Sequence, residues 1–144
     1  MRNKLELKEG ASLPEIKRII TQQKINQYAE ASRDFNPIHI DEEFARKTPL
    51  GGTIAHGMLV LAYISQVMTA AFGRQWLSDG RLNVRFKAPA RPGDSLTAGG
   101  RICRVERSAG QTLVNCEVFC RNQNGEAVII GEATVRVGED ENSS

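Results

Sequence analysis

The sequence predicts a single α+β domain in which an antiparallel sheet curls around one buried helix. Three observations carry this reading. The segment Gly57–Phe72, GMLVLAYISQVMTAAF, is apolar on nearly every side, unlike a surface helix with one polar face, so other elements have to wrap it. After it, the segments Arg81–Ala90, Ser95–Glu106, Gln111–Arg121 and Ala127–Val137 alternate in the manner of strands. Between them stand turn signals: Arg91-Pro92-Gly93-Asp94, Ser108-Ala109-Gly110 and Asn122-Gln123-Asn124-Gly125.

The first part of the chain supplies helices. A short strand is expected over Ile16–Ile20, after which Thr21 can cap a helix through Gln22–Ser32. Asp34, Asn36 and Pro37 then break it, because Pro37 disfavours a helical Asn36 and short polar side chains bond to nearby backbone. Asp41, followed by Glu42 and Glu43, forms the capped, acid-rich first turn of a second short helix, which has ended by Gly51-Gly52. The tail 138–144 is acidic and polar and is expected to fray. With 144 residues, no repeat and no linker, one domain over 1–144 is expected.

Composition narrows the function classes. Lys and Arg number 19 and Asp and Glu 17, and a net charge of +2 makes no broad field for nucleic acid or an anionic membrane. The apolar stretch Met58–Phe72 is shorter than a membrane span and carries Ser65, Gln66 and Thr69. The start, MRNKLELKEG, lacks the apolar core of a signal peptide. Cys103, Cys116 and Cys120 are odd in number and lack CxxC spacing, against both a disulfide framework and a zinc site. They read as strand packing, and a cytoplasmic setting is expected.

The chemistry gathers around the start of the apolar helix, where the chain's two histidines, His39 and His56, both fall. In Asp34-Phe-Asn-Pro-Ile-His39 a carboxylate and an imidazole stand five residues apart across a rigid break, so both can face one cavity and hold a water between two proton acceptors. A positioned base that takes the proton of an attacking water is typically worth about 10²–10⁴ in rate. Taken alone, the spacing also fits an Asp34 that caps a turn with His39 packed against it. In Ile54-Ala-His-Gly-Met-Leu59, Gly57 opens the helix, and unpaired N–H groups beside a glycine suit a carbonyl oxygen. Charge growing on that oxygen would be stabilised by roughly 10²–10³ per donor. Gly57 equally suits tight helix–sheet packing, and His56 either contacts substrate or braces the turn.

The segment Tyr28-Ala-Glu-Ala-Ser-Arg-Asp34-Phe-Asn-Pro-Ile-His39-Ile-Asp41, followed by Gly52-Thr-Ile-Ala-His-Gly57-Met-Leu, closely resembles the hydratase-2 motif of the MaoC-like, (R)-specific enoyl-CoA hydratase family of hot-dog proteins. Asn83-Val-Arg-Phe-Lys-Ala-Pro-Ala-Arg-Pro-Gly-Asp94 also resembles the family's following strand and turn, so the likeness covers nearly the whole chain. The resemblance implies a hot-dog fold, a water bound and activated by Asp34 and His39, and an oxyanion hole at the Gly57 N–H. It further implies that Asn36 orients the pair and that Ser65 reaches back to a catalytic group. The implied reaction is reversible syn hydration of a trans-2-enoyl thioester to the (R)-3-hydroxyacyl thioester, with no metal and no redox cofactor. Coenzyme A would carry the acyl group, and a homodimer or higher homo-oligomer, with the substrate tunnel near the dimer interface, is implied.

The rest of the ligand is less legible. Arg85, Lys87 and Arg91 suit coenzyme A phosphates but equally suit solvent. Leu59, Tyr63 and Trp76 are tunnel-closing or core residues alike. A hot-dog thioesterase, or the dehydratase type that pairs a histidine with a helix acid, would want a carboxylate between Gly57 and Phe72, and there is none. An acyl-carrier-protein-linked dehydratase with the same motif remains an alternative, as does a non-catalytic acyl-thioester-binding module.

Overall fold

In the computed structural model, which describes residues 5–138, the strands are β1 (Ile16–Ile19), β2 (Arg81–Phe86), β3 (Ser95–Ser108), β4 (Gln111–Arg121) and β5 (Ala127–Gly138). The helices are α1 (Gln22–Ser32), α2 (Pro37–Ile40), α3 (Glu42–Arg46), α4 (Gly57–Phe72) and α5 (Arg74–Asp79). All five strands join one antiparallel sheet in the order β1-β3-β4-β5-β2. The alternation along β4 explains the layer. Thr112, Val114, Cys116, Val118 and Cys120 are buried on one face, while Glu117 and Arg121 face solvent. Val60, Ile64, Val67, Met68 and Phe72 of α4 join Ile102, Val114, Ile129 and Val135 of the sheet in a single core.

The central helix is wrapped on one side only within the chain. Met58, Ala62, Gln66 and Ala70, spaced at i, i+4, form an exposed stripe. Two alanines and a glutamine leave little apolar area to hide there, which is why a helix apolar by composition tolerates an open flank. No described helix is long and apolar enough to cross a membrane.

Most expected boundaries hold to within two residues, with one larger departure. The strand expected over Arg81–Ala90 stops at Phe86. Lys87 and Ala88 both turn their N–H groups on the single carbonyl of Val128, at 2.8 and 3.4 Å, and Pro89 has no N–H to continue a ladder. The freed segment then serves the loop before α4, where the Ala90 carbonyl accepts the Ala55 N–H at 2.7 Å. At β1 the pairing ends one residue early, because the N–H of buried Ile20 turns to the Asp94 carbonyl at 2.8 Å. Of the tail 138–144 expected to fray, Gly138 instead pairs with Gln111 as the last residue of β5, and 139–144 lie outside the described residues.

Two short helices escape the sequence reading. In α2, Asn36 accepts from the Ile38 N–H and Pro37 occupies the first turn, so the residues read as a break also start a helix. α5 follows Gly73 and ends at Gly80, where a Cβ would lie 2.4 Å from the Trp76 carbonyl oxygen; only glycine fits. Six residues are too few for periodicity to betray it.

Two of the three cysteines pack in the core as expected, while Cys103 is only half-buried on β3. Cys116 and Cys120 are buried, and burial pushes their thiols up to about 12 and about 11. Both are expected to resist a thiol-alkylating reagent at neutral pH until the protein unfolds. Mass spectrometry after brief treatment of folded protein checks this, and labelling at either site without denaturant would contradict it.

Candidate active site

The end of α1 aims Asp34. Arg33 closes the helix in the left-handed region, with φ 64° and ψ 21°, a conformation that glycine adopts more readily. The chain thereby turns off the helix axis, and the Asp34 N–H takes the Ser32 hydroxyl at 3.2 Å. Asn36 then touches both members of the expected pair. Its backbone N–H donates to Asp34 Oδ1 at 3.2 Å, and its side chain caps α2, the helix that carries His39. One carboxylate oxygen is thus occupied and Oδ2 is left for the site.

His39 is buried and held at three points. Its N–H donates to the Asn36 carbonyl at 2.9 Å, its carbonyl accepts Gln22 Nε2 at 2.8 Å, and its Nδ1 lies 2.9 Å from the Ile54 carbonyl. A carbonyl only accepts, so Nδ1 carries the proton and Nε2 presents a bare lone pair. That Nε2 stands 4.0 Å from Asp34 Oδ2. The separation is too long for a hydrogen bond, and both atoms are acceptors. A water placed between them can donate one O–H to each.

A bracing network lies behind this gap. Thr53 sends its N–H to Glu42 Oε2 at 3.1 Å, and its hydroxyl stands 2.7 Å from Gln22 Oε1 and 3.0 Å from Glu42 Oε2. Gln22 in turn holds the His39 carbonyl. The Thr53 N–H and hydroxyl hold the Glu42 carboxyl below its ordinary 4.5. A lowered folded value means that this contribution to stability is present at neutral pH and is lost as pH falls through that value. Urea midpoints of the natural protein and Glu42→Gln should therefore differ near neutrality and converge as pH falls through the lowered Glu42 value. A gap that stays constant with pH would contradict the assignment.

His56 joins the pair from the other side. Its ring is 2% exposed, stacks on His39 with centroids 3.9 Å apart and planes at 24°, and places Nε2 3.0 Å from the Asp34 carbonyl. Tyr28 closes on it at 4.8 Å and 55°. Ligand atoms of Asp34, His39 and His56 lie within 4.8 Å of one another, so the donor set invites a test for a metal. His56 Nε2 must carry its proton to reach a carbonyl, and the two near-parallel rings do not converge on one point. With that nitrogen taken, Asp34 Oδ2 and His39 Nε2 are the acceptors that face each other across the gap, two where a zinc site has three or four protein ligands.

Gly57, bonded to His56, starts α4 with an N–H that has no intrahelical acceptor. A Cβ there would sit 2.9 Å from Phe86 Cε1, so glycine keeps the approach open beneath that ring. Gly57, Val60, Phe86, Lys87 and Val128 line a cleft of about 360 Å³. Asp34 and His39 do not line it. Gly57 is the link, standing at the cleft and one residue from the ring stacked on His39.

Other candidate residues fall elsewhere. The Ser65 hydroxyl accepts the indole N–H of buried Trp76 at 3.0 Å, which leaves its own O–H free to donate. Tyr63 and Trp76 are core residues, and Leu59 is half-buried against the core. Of the three cations, Lys87 lines the cleft at Gly57, whereas Arg85 faces a separate depression with Glu117 and Glu132. Sequence reasoning missed Phe86, Gln22 and Thr53 as supports; Phe86 and Thr53 lie inside the matched segments, but nothing in their residue types announced contact with Gly57 or His39.

An antiparallel sheet curled over a long helix is a hot-dog fold. The match to known proteins agrees. The family described as "MaoC like domain" matches residues 7–120, and the chain belongs to that family. It is 34% identical over 134 residues to an (R)-specific enoyl-CoA hydratase of Rhodospirillum rubrum, covering 92% of this chain and 89% of the relative. It is 33% identical over 134 residues to a mitochondrial 3-hydroxyacyl-[acyl-carrier-protein] dehydratase of Arabidopsis thaliana, covering 92% and 78%. Among solved structures, an (R)-hydratase from Aeromonas caviae superposes with a TM-score of 0.76 at 25% identity, covering 90% of this chain and 96% of the other.

Proposed function

We propose that the protein hydrates trans-2-enoyl-CoA to (R)-3-hydroxyacyl-CoA, and catalyses the reverse, with Asp34 and His39 sharing one water. The chain is a hydratase/dehydratase of its family. The observation that carries the mechanism is the 4.0 Å gap between two acceptors, Asp34 Oδ2 and His39 Nε2. In the forward direction the water oxygen bonds to the β-carbon while one of the pair takes its proton. The electron pair of the double bond moves toward the thioester carbonyl, whose growing charge the Gly57 N–H receives, and the group that took the water's proton then releases it to the α-carbon on the same face as the charge collapses. No metal or redox cofactor enters this scheme. Coenzyme A is proposed as the handle, with the acyl-carrier-protein thioester as the alternative, and a cytoplasmic setting suits the three free thiols.

A homodimer is part of the proposal. The outer edge of β2 is unpaired in the sheet, Phe86 at its end is 53% exposed, and Met58 beside Gly57 is 59% exposed. A second copy covering that edge would place the cleft at an interface. Light scattering should then return twice the chain mass; a monomer at micromolar concentration would contradict this part alone.

The decisive test mixes purified protein with trans-2-enoyl-CoA of graded chain length and follows loss of the conjugated thioester's ultraviolet absorbance. Loss of absorbance with an (R)-3-hydroxyacyl product is expected. Measurable binding with unchanged absorbance at every length would favour a binding module instead. Parallel enoyl-acyl-carrier-protein assays decide the handle.

A further inference from the structure

We infer that His56 is a positioning residue that sets the Asp34–His39 gap from a single ring. This rests on the dyad reading above and deepens it. The ring does two things at once. Its Nε2–H holds the Asp34 main-chain carbonyl at 3.0 Å, and its face supports the His39 ring at 3.9 Å. Tyr28 closes against it at 4.8 Å, so the ring has little room to turn. One rigid body therefore contacts both halves of the pair, and a change in its angle moves the carboxylate relative to the imidazole.

The unpartnered nitrogen argues that the polar end is used rather than tolerated. His56 Nδ1 is buried and has no hydrogen-bond partner among the described residues. A phenylalanine ring would fill similar space without stranding a buried polar atom, and stranded atoms are costly. A histidine is the better residue here because of its other nitrogen, the one on Asp34. The histidines are then opposite tautomers: His39 protonated on Nδ1 toward Ile54, His56 on Nε2 toward Asp34.

The chain holds only two histidines, so ¹⁵N-histidine NMR of the whole protein sees this site and nothing else. Long-range ¹H–¹⁵N spectra should show one ring of each tautomer, with Nε2–H assigned to His56 through His56→Gln. Two rings of the same tautomer, or Nδ1–H at His56, would overturn the inference. This readout needs no substrate, so it stands whatever the enoyl-thioester assay returns.

Kinetics supply the second test where the enzyme turns over. His56→Phe keeps a ring on His39 and removes the donor; kcat should fall by about ten- to a hundred-fold with KM within about twofold, the size of loss that small misplacement of reacting groups causes. His56→Gln, whose amide can reach the same carbonyl, should recover part of that loss. Full kcat in His56→Phe, or a change confined to KM, would overturn the positioning role while leaving the Asp34 and His39 assignment intact.

Discussion

Asp34→Asn is expected to remove nearly all hydration of enoyl thioesters, by about 10²–10⁴-fold in kcat, while the fold and thioester binding persist. The side chain keeps its shape, and the amide oxygen can still accept the Asn36 N–H that now bonds Oδ1 at 3.2 Å. What changes is the other end. An amide nitrogen at the place of Oδ2 is a donor, and the water between it and His39 Nε2 loses one of its two acceptors. The carboxylate is half-exposed, so its replacement removes no core contact. Circular dichroism and binding of a saturated acyl-CoA check the fold and the site separately from turnover; most of the activity surviving would refute the assignment.

His39→Ala is expected to lose turnover to a similar degree, but with a second signature. The imidazole donates to the Ile54 carbonyl and forms the surface on which His56 stacks. Removing it leaves an unpaired carbonyl and a gap, so this variant should also lose about 1–3 kcal/mol of stability. Asp34→Asn should not. Denaturant titration separates the two, and equal stability of both variants would mean that the His39 contacts carry little.

The sequence made the architecture legible because its strongest signals are periodic. Gly57–Phe72 is too apolar for a surface helix, and β4 alternates without a fault, so a wrapped helix and its strands could be placed beforehand. The end of β2 was not legible, since it depends on Val128 taking two N–H groups and on Ala90 serving Ala55, both long-range events. The same division holds at the site. Asp34, Asn36 and His39 stand in one short motif, and local turn chemistry brings them together. The bond that Ser65 accepts from Trp76 was not legible, because that indole sits on a helix too short to foresee. The double role of His56 was invisible in sequence, as it arises from a ring stack between α2 and the start of α4.

The most direct measurement of the central claim is a double-variant comparison. If one water is shared, Asp34→Asn and His39→Ala each disable the same event, and combining them should lower kcat little beyond either single change. Losses that multiply, as though each group served a different step, would contradict a shared water at this gap.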